Sequence, residues 1–157
     1  MKMPVLSASH DGYVQGFGLV HERRLSLSAG GQTLAGEDRL SGESAPPVPA
    51  VLRFHLHPAI NATVLQDGSA ALLVANGQPG AGQAAHAQEG WLFRCDDSRV
   101  TLEESLFMAD PHGPRRTIQI VIAFDAAAGV AISWRLDRVE LQKRKPAGSA
   151  EAPPQLL

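Results

Sequence analysis

The stretch Arg53-Phe54-His55-Leu56-His57-Pro58 concentrates the side chains best suited to chemistry. In a strand, successive side chains point to opposite faces. Arg53, His55 and His57 then share one face, about 6.5–7 Å apart along the strand, while Leu52, Phe54 and Leu56 share the other. The apolar face is built for burial. The nitrogen-rich face has three uses open to it: meeting an anionic ligand, holding a metal with help from elsewhere, or facing water. A metal needs more than two imidazoles. Pro58-Ala59-Ile60-Asn61-Ala62 supplies no acid after the His-x-His pair, so no metal and no cofactor is expected here. Anion contact by Arg53, His55 and His57 is the functional expectation.

Other clusters read more weakly. His10-Asp11-Gly12-Tyr13 offers an imidazole, a carboxylate and a phenol, but neighbours in a strand face apart, and Asp-Gly is a turn signature. A structural turn is the expectation. Glu103 and Glu104 are adjacent and alternate faces, which makes a poor glycosidase pair. No Gly-x-Ser-x-Gly elbow and no phosphate-cradling loop before a helix occurs. Arg115-Arg116 reads as a solvated strand start. His21 and Arg23 face the same way and would extend a basic stripe if their strand lay beside Arg53–His57.

The elements that must position these residues have period two. Leu19 to Leu27 and Gln32 to Leu40 read as a hairpin across Gly30-Gly31. Ala50 to His57 is the strand described above. Ala59 to Leu65 and Ser69 to Ala75 form a second hairpin across Asp67-Gly68. Asn76 to Gly90, rich in Gly, Gln and Ala, reads as a long loop. Trp91–Asp96 and Val100–Met108 read as a strand pair, with a helix over Leu102–Met108 as the rival. Thr117–Phe124 is the clearest strand, and Val130–Leu136 is its expected partner. The pattern predicts an all-β fold: an antiparallel layered β-sheet or β-sandwich of about nine or ten strands. Residues 1–142 form the domain and residues 143–157 a disordered tail.

Bulk properties narrow the classes. At 157 residues, 44% hydrophobic and 19% charged, the chain suits one globular domain. A net charge of −2 gives no sign of nucleic-acid binding. No apolar run reaches membrane-spanning length, and no signal-peptide core is visible at the N-terminus. The single cysteine, Cys95, excludes an intrachain disulfide and reads as a buried, inert thiol.

Seven segments, taken in order, resemble the C-terminal part of the heparinase II/III-like polysaccharide lyases. They are Ser9-His10-Asp11-Gly12-Tyr13, His21-Glu22-Arg23-Arg24-Leu25, Gly36-Glu37-Asp38-Arg39-Leu40, Arg53 to Pro58, Gly90-Trp91-Leu92-Phe93, Leu102-Glu103-Glu104-Ser105 and Arg116-Thr117-Ile118-Gln119-Ile120-Val121. The resemblance implies a β domain that in the family follows an α-helical toroid. It implies β-elimination of uronate-containing polysaccharide, with substrate held between the two parts. The family's catalytic tyrosine belongs to the toroid, and its His-x-His-Ala-Asp and Ala-His-Asn-Thr segments are not found in this sequence. No family catalytic residue or metal ligand therefore carries over.

The expected role is a late section of the β domain, inactive alone, that contributes scaffold and substrate contact. Its expected partners are an acidic polysaccharide and a helical toroid chain, or a second copy through an uncovered sheet edge. The family's working place implies the bacterial cell envelope. The alternative is a stand-alone carbohydrate-binding or protein-interaction module. The chain has five Phe, two Trp and one Tyr, few for an aromatic sugar platform. A complete small enzyme is a third reading.

Overall fold

A computed structural model describes residues 4–43, 45–75, 88–96 and 98–141. Among these residues the chain forms ten strands and one short helix. They are β1 (Val5–Tyr13), α1 (Val14–Phe17), β2 (Leu19–Leu27), β3 (Thr33–Gly42), β4 (Val48–His55), β5 (Ile60–Val64), β6 (Ala70–Ala75), β7 (Gln88–Cys95), β8 (Thr101–Phe107), β9 (Arg115–Ala126) and β10 (Ala131–Leu141). The strands build two antiparallel sheets. The larger has the order β1-β2-β3-β10-β7-β6-β5, and the smaller has β4-β9-β8. The all-β sandwich read from the alternation is the observed architecture.

Alternation decides which face is buried. In β4 every second residue is exposed, and Leu52, Phe54 and Leu56 pack against the core. Ile120 and Ile122 of β9 are almost wholly enclosed. From the larger sheet, Phe93 and Trp134 meet Phe54, with ring centroids 4.9 and 4.8 Å from it. Each such apolar side chain contributes about 1.5–3 kcal/mol when fully buried. Cys95 lies in this core, as its position in an apolar run suggested. A second, smaller cluster of Leu19, Leu40 and Ala126 closes the end of the sandwich near α1.

Both expected hairpins form. β2 pairs with β3 from Leu27 opposite Leu34 to Leu19 opposite Gly42. β5 pairs with β6 across a turn in which Asp67 Oδ1 accepts the Ser69 backbone N–H at 2.9 Å. Gly68 sits there at φ 71°, the left-handed region that an L side chain resists.

Two strand partnerships differ from the sequence expectation. β7 and β8 are not paired: β7 lies between β10 and β6, while β8 is an edge of the smaller sheet. Nor is Thr117–Phe124 the partner of Val130–Leu136, because β9 pairs with β4 and β8, whereas β10 pairs with β3 and β7. After Ala126 the chain crosses between the layers. There the Gly129 N–H donates to the Leu40 carbonyl, and the Leu40 N–H donates to Val130. Those bonds draw the following strand onto β3 rather than back onto β9. The helical alternative for Leu102–Met108 is replaced by β8. The expected loop at Asn76 to Gly90 gives way to β7 from Gln88 onward; residues 76–87 and the tail expected at 143–157 lie outside the described residues.

Candidate functional site

Arg53, His55 and His57 stand on the outer face of the smaller sheet, all exposed. Arg53 and His55 belong to β4, and His57 follows just past its end, where Leu56 still donates its N–H to Ile118. The central strand β9 sets Val121 opposite Arg53 and Gln119 opposite His55 on this face, and the β4 side chains reach across it to β8. Arg53 forms an ion pair with Glu103. His55 Nδ1 and Ser105 Oγ lie 2.8 Å apart. His57 Nδ1 accepts the Ala59 N–H at 3.1 Å, and its ring meets Phe107 edge-on at 4.9 Å.

Beneath the Arg53–Glu103 bridge lies Gln119, buried. Its amide nitrogen is 3.4 Å from Glu103 Oε2, while its Oε1 has no hydrogen-bond partner among the described residues. The row is therefore a set of engaged but exposed groups. An anion reaching Arg53 Nη1 competes with Glu103.

The basic stripe that would have joined His21 and Arg23 to this row does not form. β2 belongs to the other sheet, and His21 and Arg23 face the space between the layers. There they meet a residue that strand-by-strand reading missed, Asp38 of β3, which is only 5% exposed. Asp38 Oδ1 accepts from His21 Nε2 at 2.6 Å and from Arg23 Nε at 2.7 Å. Its Oδ2 accepts the indole N–H of Trp134 at 2.8 Å. The Arg23 guanidinium also lies 5.2 Å from the centre of the Phe54 ring and 5.8 Å from that of Trp134. A buried carboxylate is costly unless such donors surround it. Here three donors, all from the larger sheet, fill it, and two of them, Arg23 and Trp134, also pack on Phe54 of the smaller sheet.

From His21 the network continues outward. His21 Nδ1 is 3.1 Å from His10 Nε2, and His10 Nδ1 accepts the Gly12 N–H at 3.2 Å. With His21 donating to Asp38, His10 must donate to His21 if both rings are neutral, so one tautomer set satisfies the whole chain. The turn expected at His10–Tyr13 is instead an irregularity inside β1, where the register with β2 shifts between His10 and Tyr13. His10 does not pair with Asp11. The Tyr13 ring packs edge-on against His10 at 5.0 Å.

This polar chain borders a cleft of about 270 Å³ between the ends of the two sheets, lined by Tyr13, Phe17, Leu19, Leu40, Ala50 and Phe124 among others. Its walls are mostly apolar, with His21 and Asp38 at one side. Among the described residues no group of three or more His, Cys, Asp or Glu side chains could hold a metal ion. No helix among them is long and apolar enough to cross a membrane.

Three of the segments that carry the resemblance, those containing His10, His21 with Arg23, and Asp38, thus meet in one network. The architecture is that of a two-layer antiparallel β-sandwich. The chain belongs to the heparinase II/III-like family: the family described as "Heparinase II/III-like, C-terminal" matches residues 3–135. A relative, FtsZ-localized protein C of Caulobacter vibrioides, is 32% identical over 147 residues, which cover 86% of this chain and 23% of that protein. Among solved structures, the heparan sulfate lyase HepC of Pedobacter heparinus superposes with a TM-score of 0.67 at 14% identity, over 90% of this chain and 21% of the lyase. A heparinase III gene product superposes with a TM-score of 0.61 at 10% identity, over 88% of this chain and 20% of its own. At those identities the likeness to the two lyases shows a shared fold. The chain spans less than a quarter of each of these proteins.

Proposed function

We propose that this domain serves as the β layer of a polysaccharide lyase acting by β-elimination on uronate-containing polysaccharide. In this reading it forms one wall of the substrate cleft and touches the acidic polymer through Arg53, His55 and His57. It performs no elimination without a helical toroid partner. The observation that carries the reading is the family match over residues 3–135, on a chain whose Arg53, His55 and His57 are exposed on one outer sheet face. The lack of activity alone is supported by the inner network. His10 and His21 spend their ring nitrogens on Gly12, on each other and on Asp38, which leaves neither placed as a free general base.

The test is binding of uronate oligosaccharides by the chain and by its R53A/H55A/H57A variant, together with release of unsaturated product followed by ultraviolet absorbance. Weaker binding by the variant supports the contact role, and unchanged binding refutes it. Product formed by the purified chain alone refutes the dependence on a toroid.

A second reading rests on the 32% identical relative, whose name places it with FtsZ. In that reading the sandwich is a protein-interaction module within an FtsZ-localized protein and keeps the lyase fold without its substrate. Co-sedimentation of the chain with FtsZ polymers, without oligosaccharide binding, favours it.

A further inference from the structure

Beneath the outer row of the smaller sheet sits a buried acceptor without a donor. His55, Gln119 and Glu103 stand on one line across the sheet, since the pairing sets Gln119 of β9 opposite both of the others. Gln119 is 7% exposed. Its amide nitrogen donates to Glu103 Oε2 at 3.4 Å and to the Glu104 carbonyl at 3.3 Å, while its Oε1 is buried with no hydrogen-bond partner among the described residues. Exchanging the two ends of the amide gives no relief, because both neighbours of the nitrogen are acceptors. A buried polar atom left unpaired is uncommon and costly. One atom controls access to it: Glu103 Oε2 accepts from Gln119 and also from Arg53 Nη1, and the Arg53 and Glu103 side chains are 38% and 48% exposed.

We propose that Gln119 is a specificity-determining contact, through which the row selects a hydroxylated acid sugar over a bare polyanion. The inference rests on the lyase reading of the row and names the feature of the polymer that is recognised there. A ligand carboxylate oxygen in the place of Glu103 Oε2 accepts from Arg53 Nη1 and from the Gln119 amide N–H. A free ring hydroxyl beside that carboxylate then gives Oε1 the donor it lacks. Arg53, His55 and His57 by themselves attract any anion and carry no information about hydroxyls. Gln119 adds discrimination, because a site that hydrogen-bonds a ligand O–H rejects an analogue that leaves the buried group unpaired. A bound water at Oε1 is the competing account, and a water would serve every anion alike. All of these side chains come from β4, β8 and β9, which pair with one another.

The experiment is calorimetric titration of the chain and of Gln119→Met with two probes matched in carboxylate number: oligogalacturonate, which carries ring hydroxyls, and oligoglutamate, which carries none. Methionine nearly keeps the shape of glutamine without its amide. The change also releases Glu103, but that alters Arg53 for both probes alike, so the ratio of the two affinities is the readout. The unaltered chain is expected to prefer oligogalacturonate, and Gln119→Met to reduce that preference about three- to tenfold, the scale of one hydrogen bond. Oligogalacturonate acetylated on its ring hydroxyls keeps every carboxylate and puts the same question to the unaltered chain, whether or not the variant folds. It is expected to bind no better than oligoglutamate. An unchanged ratio in Gln119→Met, or an acetylated oligomer that binds as tightly as its parent, overturns the proposal, leaves the Arg53 contact standing and returns Oε1 to a water. An unaltered chain that binds neither probe overturns the reading of the row and this inference with it.

Discussion

Substituting Asp38 gives the sharpest test of what holds the buried face of the larger sheet together. Asp38→Ala removes the acceptor for three donors at once. Trp134, 7% exposed, is left with a buried indole N–H, a loss of about 1–3 kcal/mol. Arg23 keeps its charge between two aromatic rings with no counter-ion. Breaking a buried pair costs about 3–5 kcal/mol, but the Arg23 side chain is 33% exposed, so solvent recovers part of that. The sum expected for Asp38→Ala is therefore about 3–5 kcal/mol. Asp38→Asn keeps the shape. Its oxygen can face His21 and Arg23 only if its amide N–H₂ faces the Trp134 N–H, one donor against another, for about 1–3 kcal/mol. Glu37→Gln is the control: same strand, opposite face, and an exposed pair with Arg39 that contributes within about 0.5 kcal/mol.

Urea titration followed by tryptophan fluorescence reads all three variants. A Trp134→Phe background removes the orphaned N–H, so Asp38→Asn should cost less there by about 1 kcal/mol, measured as a double-mutant cycle. If Asp38→Ala and Glu37→Gln shift the midpoint equally, the network does not brace the buried face and the reasoning fails.

Three further outcomes follow from other parts of the molecule. Gly36 lies directly under the Trp134 indole, and a β-carbon there would overlap the ring. Gly36→Ala should destabilise by about 1–3 kcal/mol and shift the Trp134 emission, while Gly16→Ala, which meets nothing, should do neither. Glu22, Asp67 and Asp110 are each held below the ordinary carboxylate value. The leading causes are the Ser7 hydroxyl on Glu22, the Ser69 backbone N–H on Asp67, and the His112 backbone N–H on Asp110. Since the folded values are depressed, the unfolded chain binds more protons as pH falls. The stabilisation is full above the unfolded values, near about pH 4, and is lost as pH drops through the folded ones. The urea midpoint should therefore fall on the acid side of about pH 4, less steeply in Asp110→Asn; an equally steep fall would remove Asp110 from the account. Finally, Glu103→Gln frees Arg53 from its exposed carboxylate partner. If Arg53 meets uronate, affinity for acidic oligosaccharide should rise about two- to fivefold, the scale of an exposed ion pair; unchanged affinity speaks against Arg53 as a contact.

Face and hairpin were legible in the sequence, and pairing between distant strands was not. Alternation placed Leu52, Phe54 and Leu56 inward and Arg53, His55 and His57 outward because the side-chain period is a property of the strand itself. It carries no information about which strand lies alongside. A tight hairpin and an arch that crosses between layers both read as two alternating runs joined by a few polar or small residues. For that reason β9 and β10, and likewise β7 and β8, looked like pairs. The Gly129 and Leu40 bonds that separate β9 from β10 join residues far apart along the chain, beyond any local pattern. Asp38 was within reach, however. Once Gly30-Gly31 is taken as the turn, the register that sets Leu27 against Leu34 also sets Arg23 against Asp38. Two opposite charges on a face otherwise made of leucines, a glycine and His21 are a sign of a buried pair.

That pairing changes what the resemblance marks. Of the seven segments, three meet around Asp38 and a fourth, Arg53 to Pro58, sends Phe54 inward under Arg23 while its histidines point outward. Residues that look poised for chemistry when read along the chain are, in space, divided between two tasks. His10, His21, Arg23 and Asp38 bond to one another, with Trp134 on the second Asp38 oxygen, so their chemistry is turned inward and ties β1, β2, β3 and β10 together. The outward row is exposed, and a ligand can compete for Arg53 with Glu103, which is exposed as well. The proposed substrate-contact role calls on the loosely held set. A variant that damages the inward set should lower stability and ligand binding together, whereas one in the outward row should separate them.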